Sequence, residues 1–152
     1  MAVENTARTT ELRGERWFRT VFEHAPTGIA ITDLGGAFEQ CNHAYCALVG
    51  YSEGELRRVA FPALVHPEYR GANLAEIRRL LAGEVPHFAT ENRYVHKSGR
   101  PVWVRKWVSL LPNAAGDPAH IMALVTDRTD RRRAEQALRA SQERMRLPGR
   151  MA

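Results

Sequence analysis

Apolar residues recur at helical spacing between Glu11 and His24, where Leu12, Phe18, Val21 and Phe22 form a stripe that Ala25 and Pro26 end. The segment before it, Met1 to Thr10, is polar and reads as loose chain. From Gly28 to Leu34 the pattern changes to alternation, with Ile29 and Ile31 set against Ala30 and Thr32. Gly35 and Gly36 then supply the positive-φ residues of a tight hairpin before a second strand, Phe38 to Cys41. Asn42 is a good N-cap for a short helix carrying Tyr45, Leu48 and Val49, which Gly50 closes. Ser52 and Glu55 make a capping box for another brief helix. Phe61 to Val65 is a short apolar segment. Pro67 suits the first position of a longer helix in which Leu74, Ile77 and Leu81 share a face as far as Gly83.

Beyond Gly83 the period returns to two. Phe88 to His96 and Val102 to Leu111 are strand-like, with Lys97 to Pro101 as the turn between them, and Pro112 to Pro118 turns into a last apolar strand, Ile121 to Val125. That strand runs through Asp127, Arg128 and Thr129 into a charged helix with no loop between. A buried strand continuous with a projecting helix is a mechanical connection, which points to a sensor or coupler. The element order, with hairpins joining the late strands, predicts an α+β fold: one antiparallel sheet with helices on one face and a concave ligand site between the layers. The predicted organisation is a tail and amphipathic helix over 1–26, a core over 27–129, and a linker helix and tail over 130–152.

With 152 residues, 44% hydrophobic and 26% charged, the chain is one ordinary globular domain with helical extensions. The net charge of +5 invites a nucleic-acid reading, but the excess arginine sits along the last helix, and no zinc-finger, helix-turn-helix or aromatic RNA-binding signature accompanies it. No apolar run approaches the roughly 20 residues of a membrane span. Two cysteines and an N-terminal stretch, Met1 to Glu15, without an apolar leader predict a reduced, cytoplasmic setting.

The segment Phe22-Glu23-His24-Ala25-Pro26, leading into Gly28-Ile29-Ala30-Ile31-Thr32-Asp33, then Asn42 and Leu48-Val49-Gly50-Tyr51-Ser52, resembles the first half of a PAS domain. His66-Pro67-Glu68, Tyr94 to Gly99 with Trp103-Val104, and Val125 to Glu135 resemble the second half, in the family's order over roughly residues 18 to 135. The resemblance, to the S-box type of sensory and dimerisation module in bacterial signalling proteins, implies a five-stranded antiparallel sheet of order 2-1-5-4-3. It further implies a module that senses small molecules, light or redox state, or dimerises, and reports to a histidine kinase or cyclase. Asp127 and Thr129 are similar to the family's Asp-x-Thr junction, with Arg128 in place of the usual apolar residue between them. Relatives continue into an effector where Pro148 to Ala152 stand here, so output is expected in trans or in a longer parent protein.

Candidate chemistry is sparse. Covalent flavin photochemistry would need a cysteine in the helical middle, and Ala60 to Leu64 has none; haem-binding relatives place a histidine on the long central helix, and Tyr69 to Leu81 has none. His66 reads as the residue that starts that helix. Cys41 and Cys46, even with His43, fall short of an iron–sulfur or zinc ligand set and read as free thiols. No nucleophile elbow, zincin motif or phosphate loop appears, so no catalytic or metal residue is assigned. Glu91 and Arg93 share a strand face as a surface pair worth under about 1 kcal/mol. Phe61, Leu64, Ile77, Leu81 and Trp107 are the candidate lining of a cavity for a flavin or small acid, although a core filled by these side chains is the default reading. Of Arg105 and Lys106, at most one points inward to ground an anion.

After Thr129, residues Ala134, Leu138, Ser141 and Met145 form a thin heptad seam, flanked by Glu135 and Arg139, on a helix that Pro148 and Gly149 would break. A homodimer is expected, through Phe18, Val21, Phe22 and Leu138. Three functions compete: a PAS-type sensory or interaction module, a small α+β pocket enzyme, and a basic nucleic-acid binder. The first explains the continuous strand-to-helix junction.

Overall fold

The computed structural model describes residues 2–146. Helix α1 (Ala2–His24) is followed by strands β1 (Gly28–Asp33) and β2 (Phe38–Cys41), helices α2 (His43–Val49) and α3 (Glu53–Leu56), and a 3-10 turn (Phe61–Leu64). Helix α4 (Pro67–Leu81), strands β3 (His87–Val95), β4 (Pro101–Pro112) and β5 (Pro118–Asp127), and helix α5 (Thr129–Arg146) complete the chain. All five strands are antiparallel neighbours in one sheet of order β2-β1-β5-β4-β3.

Alternation settles which side of the sheet is buried. On β4, Val102, Val104, Lys106 and Val108 face inward beneath the helices, and Trp103, Arg105 and Trp107 face outward. Ala30 of β1 is paired with Ala123 of β5, which in turn faces Val108 of β4. The main core gathers Phe38, Tyr45, Val49, Leu56, Leu64, Tyr94, Val104 and Val125. A second cluster, Leu80, Phe88, Val108 and Ile121, lies under the C-terminal half of α4.

Local chemistry fixes the connections. Asn42 caps α2 and does more: its Oδ1 accepts from Tyr45 N and Ile29 N, and its Nδ2 donates to Thr27 O, tying α2 to the start of β1. A Cβ on Gly28 would stand 3.1 Å from Val125 O and 3.2 Å from Tyr45 Cα, so the absence of a side chain lets α2 lie directly on the sheet. In the β1–β2 turn only Gly36 takes a positive φ, 92°; Gly35 does not, because Asp33 Oδ1 accepts from the N–H groups of Gly35 and Ala37 and shapes the turn. Ser52 and Glu55 form the expected capping box, and His66 caps α4 by accepting from Glu68 N.

Two helical expectations change. The polar segment before Glu11 is part of α1 from Ala2 onward, where the hydroxyls of Thr6, Thr9 and Thr10 bond back to carbonyls four residues earlier; polarity removes the apolar stripe but not helix-forming capacity. On α4 Asn73 and Leu80 are buried, whereas Leu74 and Leu81 of the stripe read from the sequence are 47% and 41% exposed, because that stripe faces a partly open cavity and not packed side chains. The helix break expected at Pro148 and Gly149 lies outside the described residues.

Candidate functional site

A cavity of about 450 Å³ opens between α4 and the sheet. Its cause is local: Ala30 and Ala123 sit side by side on the sheet floor, and two small side chains leave a hollow that α4 spans without filling. The side-chain-filled core that is the default sequence reading therefore does not hold here. Phe61, Ile77 and Leu81 line the space. Leu64 does not; it is 1% exposed and packed in the main core. Trp107 is also absent from the wall, because strand parity turns it outward, where its ring stacks on His87 at 5.1 Å between centroids.

The inward residue at that point is Lys106, only 1% exposed, with Arg105 on the outer face. Lys106 Nζ donates to Asn73 Oδ1 on α4 and lies 4.7 Å from the Phe61 ring centroid and 5.6 Å from that of Tyr94. Burial pushes its pKa down from the ordinary 10.5 to about 7. Asn73 was not singled out from the sequence, although an amide four residues before Ile77 on an otherwise apolar helical face was the available signal.

The junction between sheet and α5 is fastened on both sides. Asp127 Oδ1 accepts from Thr129 N at 2.8 Å, Thr129 Oγ1 accepts from Trp103 N at 3.1 Å, and Arg128 N donates to Trp103 O at 2.6 Å. The Arg132 guanidinium of α5 sits 4.0 Å over the Trp103 ring. On the other side Trp103 meets Tyr69 of α4 edge-on at 5.8 Å. Arg93 does not pair with Glu91 among the described residues; it stands 5.8 Å over Trp103 and bonds the ring of His66, because its long side chain reaches along the outer face to the start of α4. Trp103 is the residue that sequence reasoning missed here, since an indole on a strand looks the same whether it packs inward or joins two helices.

Other candidates separate. Phe22 is buried where α1 meets the rest of the domain and stacks on Phe18, so it is removed from the expected dimer surface; Phe18, Val21 and Leu138 remain about half exposed, and Trp17, at 71%, joins them. Glu135 pairs with Arg131 at 3.2 Å. Cys41 is buried, which pushes its thiol up to about 12, and burial also raises Cys46; both are held as protonated thiols, poor metal ligands and nucleophiles. Among the described residues no group of three His, Cys, Asp or Glu side chains is placed to hold a metal, and no helix is long and apolar enough to cross a membrane.

Comparison with known proteins places this architecture. A probable diguanylate cyclase, DgcE of Escherichia coli K12, is 33% identical over 133 residues, 88% of this chain and 12% of its own length. The sensor histidine kinase TmoS of Ectopseudomonas mendocina is 27% identical over 130 residues, 86% of this chain and 13% of its own length. The chain thus spans about an eighth of either relative. The crystal structure of a PAS domain from Colwellia psychrerythraea superposes with a TM-score of 0.68 at 19% identity, over 74% of this chain and 94% of that one. A family model described as PAS fold matches residues 22–133, and with the sheet order and the junction already established, the chain belongs to the PAS family.

Proposed function

We propose that this chain is the sensory module of a bacterial signalling protein, in which occupancy of the cavity under α4 is passed to α5 and from there to a histidine kinase or cyclase, in trans or in a longer parent. The core over 27–129 does the sensing, and the helix from residue 130 carries the output. The carrying observation is the Trp103 contact set: its ring touches Tyr69 on the helix that roofs the cavity and Arg132 on the output helix, while its backbone is bonded to Arg128 and Thr129. A shift of α4 at Tyr69 bears on Trp103, and α5 is held to Trp103 through Thr129 and Arg132, with Arg128 bonded to it just before the helix. The cavity wall carries an amine, an amide and the Phe61 ring, a set suited to holding a ligand. The cyclase and the histidine kinase among the relatives support the choice of effector.

Hydrogen exchange tests the coupling. Ile77→Trp, which fills part of the cavity, should change amide exchange along α5 severalfold, and adding Trp103→Ala should abolish that change. Unaltered α5 exchange in Ile77→Trp, with altered exchange around α4, would overturn the reading.

The same proposal includes a homodimer built on α1, whose Trp17, Phe18 and Val21 are 71%, 50% and 48% exposed on one stretch of helix. Apolar residues in that number are ordinarily covered by a partner. Light scattering at high micromolar concentration should return two chains per particle, and Phe18→Glu with Val21→Glu should return one with unchanged circular dichroism. Phe22 is left untouched in this test because its burial would confound folding with assembly. One chain per particle for the unaltered protein would end the dimer proposal.

A further inference from the structure

Resting on the reading of the cavity as a ligand site, we propose that its ligand is a small organic acid with an apolar body, the carboxylate seated on Lys106 and Asn73 and the body lying along Phe61, Ile77 and the Ala30–Ala123 floor. The argument begins with an imbalance. An ammonium group has three N–H donors, and its hydrogen-bond partner here is one amide oxygen, Asn73 Oδ1. The aromatic faces of Phe61 and Tyr94 offset part of its desolvation, but no carboxylate among the described residues lines the cavity. A buried cation without a counter-charge is costly, and an arriving carboxylate removes that cost while satisfying the remaining donors.

Location turns that deficit into a ligand site. Lys106 and Asn73, 1% and 7% exposed, both form part of the cavity wall, so a ligand in the space lies against the two residues that carry the amine and the amide. With its Oδ1 engaged, Asn73 keeps its Nδ2 as a second donor beside the amine. The rest of the wall is mainly hydrocarbon, which suits a non-polar body, and a volume of about 450 Å³ lies in the range of small-molecule sites. Arg70 and Arg78 of α4 also border the cavity, and both are exposed, adding positive potential at the mouth that draws anions.

The groups facing Lys106 determine the pH behaviour. Arg70 and Arg78 come from α4, Tyr94 of β3 has its phenol pushed above the ordinary range by burial, and among the described residues β1, β5 and the 3-10 turn bring to the wall Ala30, Thr32, Ile121, Ala123, Phe61 and Pro62, none of them titratable. Lys106 is therefore the group that titrates between pH 6 and 9. Its cation predominates below about pH 7, is half lost near that value and goes from the empty site as pH rises further, whereas a carboxylate, ionising near pH 4, is charged throughout. A bound carboxylate favours the protonated amine, so binding takes up a proton above pH 7 and affinity falls with increasing pH.

Calorimetric titration of the whole chain with straight-chain carboxylates from butanoate to decanoate, and with phenylacetate, against the matched primary amides, decides the matter. The expected result is that at least one carboxylate binds tenfold or more tightly than its amide. Its affinity should fall roughly 20-fold between pH 6 and pH 8.5, with buffer-dependent heats that report proton uptake. Lys106→Met should lose the carboxylate preference and the pH dependence while retaining the fold by circular dichroism. An amide that binds as tightly as its carboxylate, or a pH-independent affinity, would overturn the acid ligand while leaving the sensory reading to its own α4–α5 exchange test. Failure of every probe to bind would also overturn it.

Discussion

Lys106→Met should make the protein more stable at pH 6 by about 1–4 kcal/mol, the range seen when buried charges are replaced by apolar side chains of similar volume. The side chain is 1% exposed, with one amide oxygen and two rings for company, and methionine keeps its length without the charge. The sign of the pH effect follows from the direction of the shift. Burial lowers the amine from 10.5 to about 7 in the folded state, so between those values the unfolded chain binds more protons and unfolding becomes harder as pH rises. The penalty is complete below about pH 7 and is relieved progressively above it. The advantage of the methionine variant should accordingly be about 2–3 kcal/mol smaller at pH 9 than at pH 6. Urea melts of both proteins at pH 6, 7, 8 and 9 measure this directly; a variant less stable than the parent at pH 6 would show that the amine already has a counter-charge. A buried cation that weakens its own fold is the kind of feature retained for binding, and so the stability gain is expected to accompany loss of carboxylate recognition.

The sheet could be read from the sequence because strand alternation is a binary code. Once Val102, Val104 and Val108 face the core, Lys106 must as well, and Trp107 must not. Trp107, expected in the cavity lining for its hydrophobicity, is turned outward by that parity. The helical layer was less legible: the α4 stripe of Leu74, Ile77 and Leu81 lines the cavity and stays partly open to solvent, while Leu80, off that stripe, is the buried leucine, so helical spacing did not show how deeply each residue is buried. The cavity depends on Ala30 and Ala123 meeting across β1 and β5, a contact between residues 93 positions apart that no local pattern encodes. Asp127 and Thr129 stood out through the resemblance to the family's Asp-x-Thr segment and the strand that runs into a helix without a loop; in the structure Asp127 Oδ1 accepts from Thr129 N two residues on. The role of Trp103 could not, as it joins α4 to α5 through contacts made only in three dimensions.

Leu64→Ala and Leu81→Ala should separate sharply, although the two leucines were grouped together as candidate cavity lining. Leu64 is 1% exposed within the cluster that holds Tyr45, Tyr94 and Val125, and its truncation removes buried methyl groups and leaves a void that the rigid sheet cannot close. The expected cost is about 2–5 kcal/mol. Leu81 is 41% exposed at the cavity rim, where the lost atoms were already half in water and their place is open to solvent, so the expected cost is below about 1 kcal/mol. Denaturant midpoints with unchanged slopes give both values, and the unchanged slope is needed to assign the effect to the folded state. Equal costs would mean that α4 closes onto the sheet in solution and the cavity is filled. A large cost for Leu64 alone means that the core holds its shape without help from the rim, leaving the residues around Lys106 free to answer to a ligand.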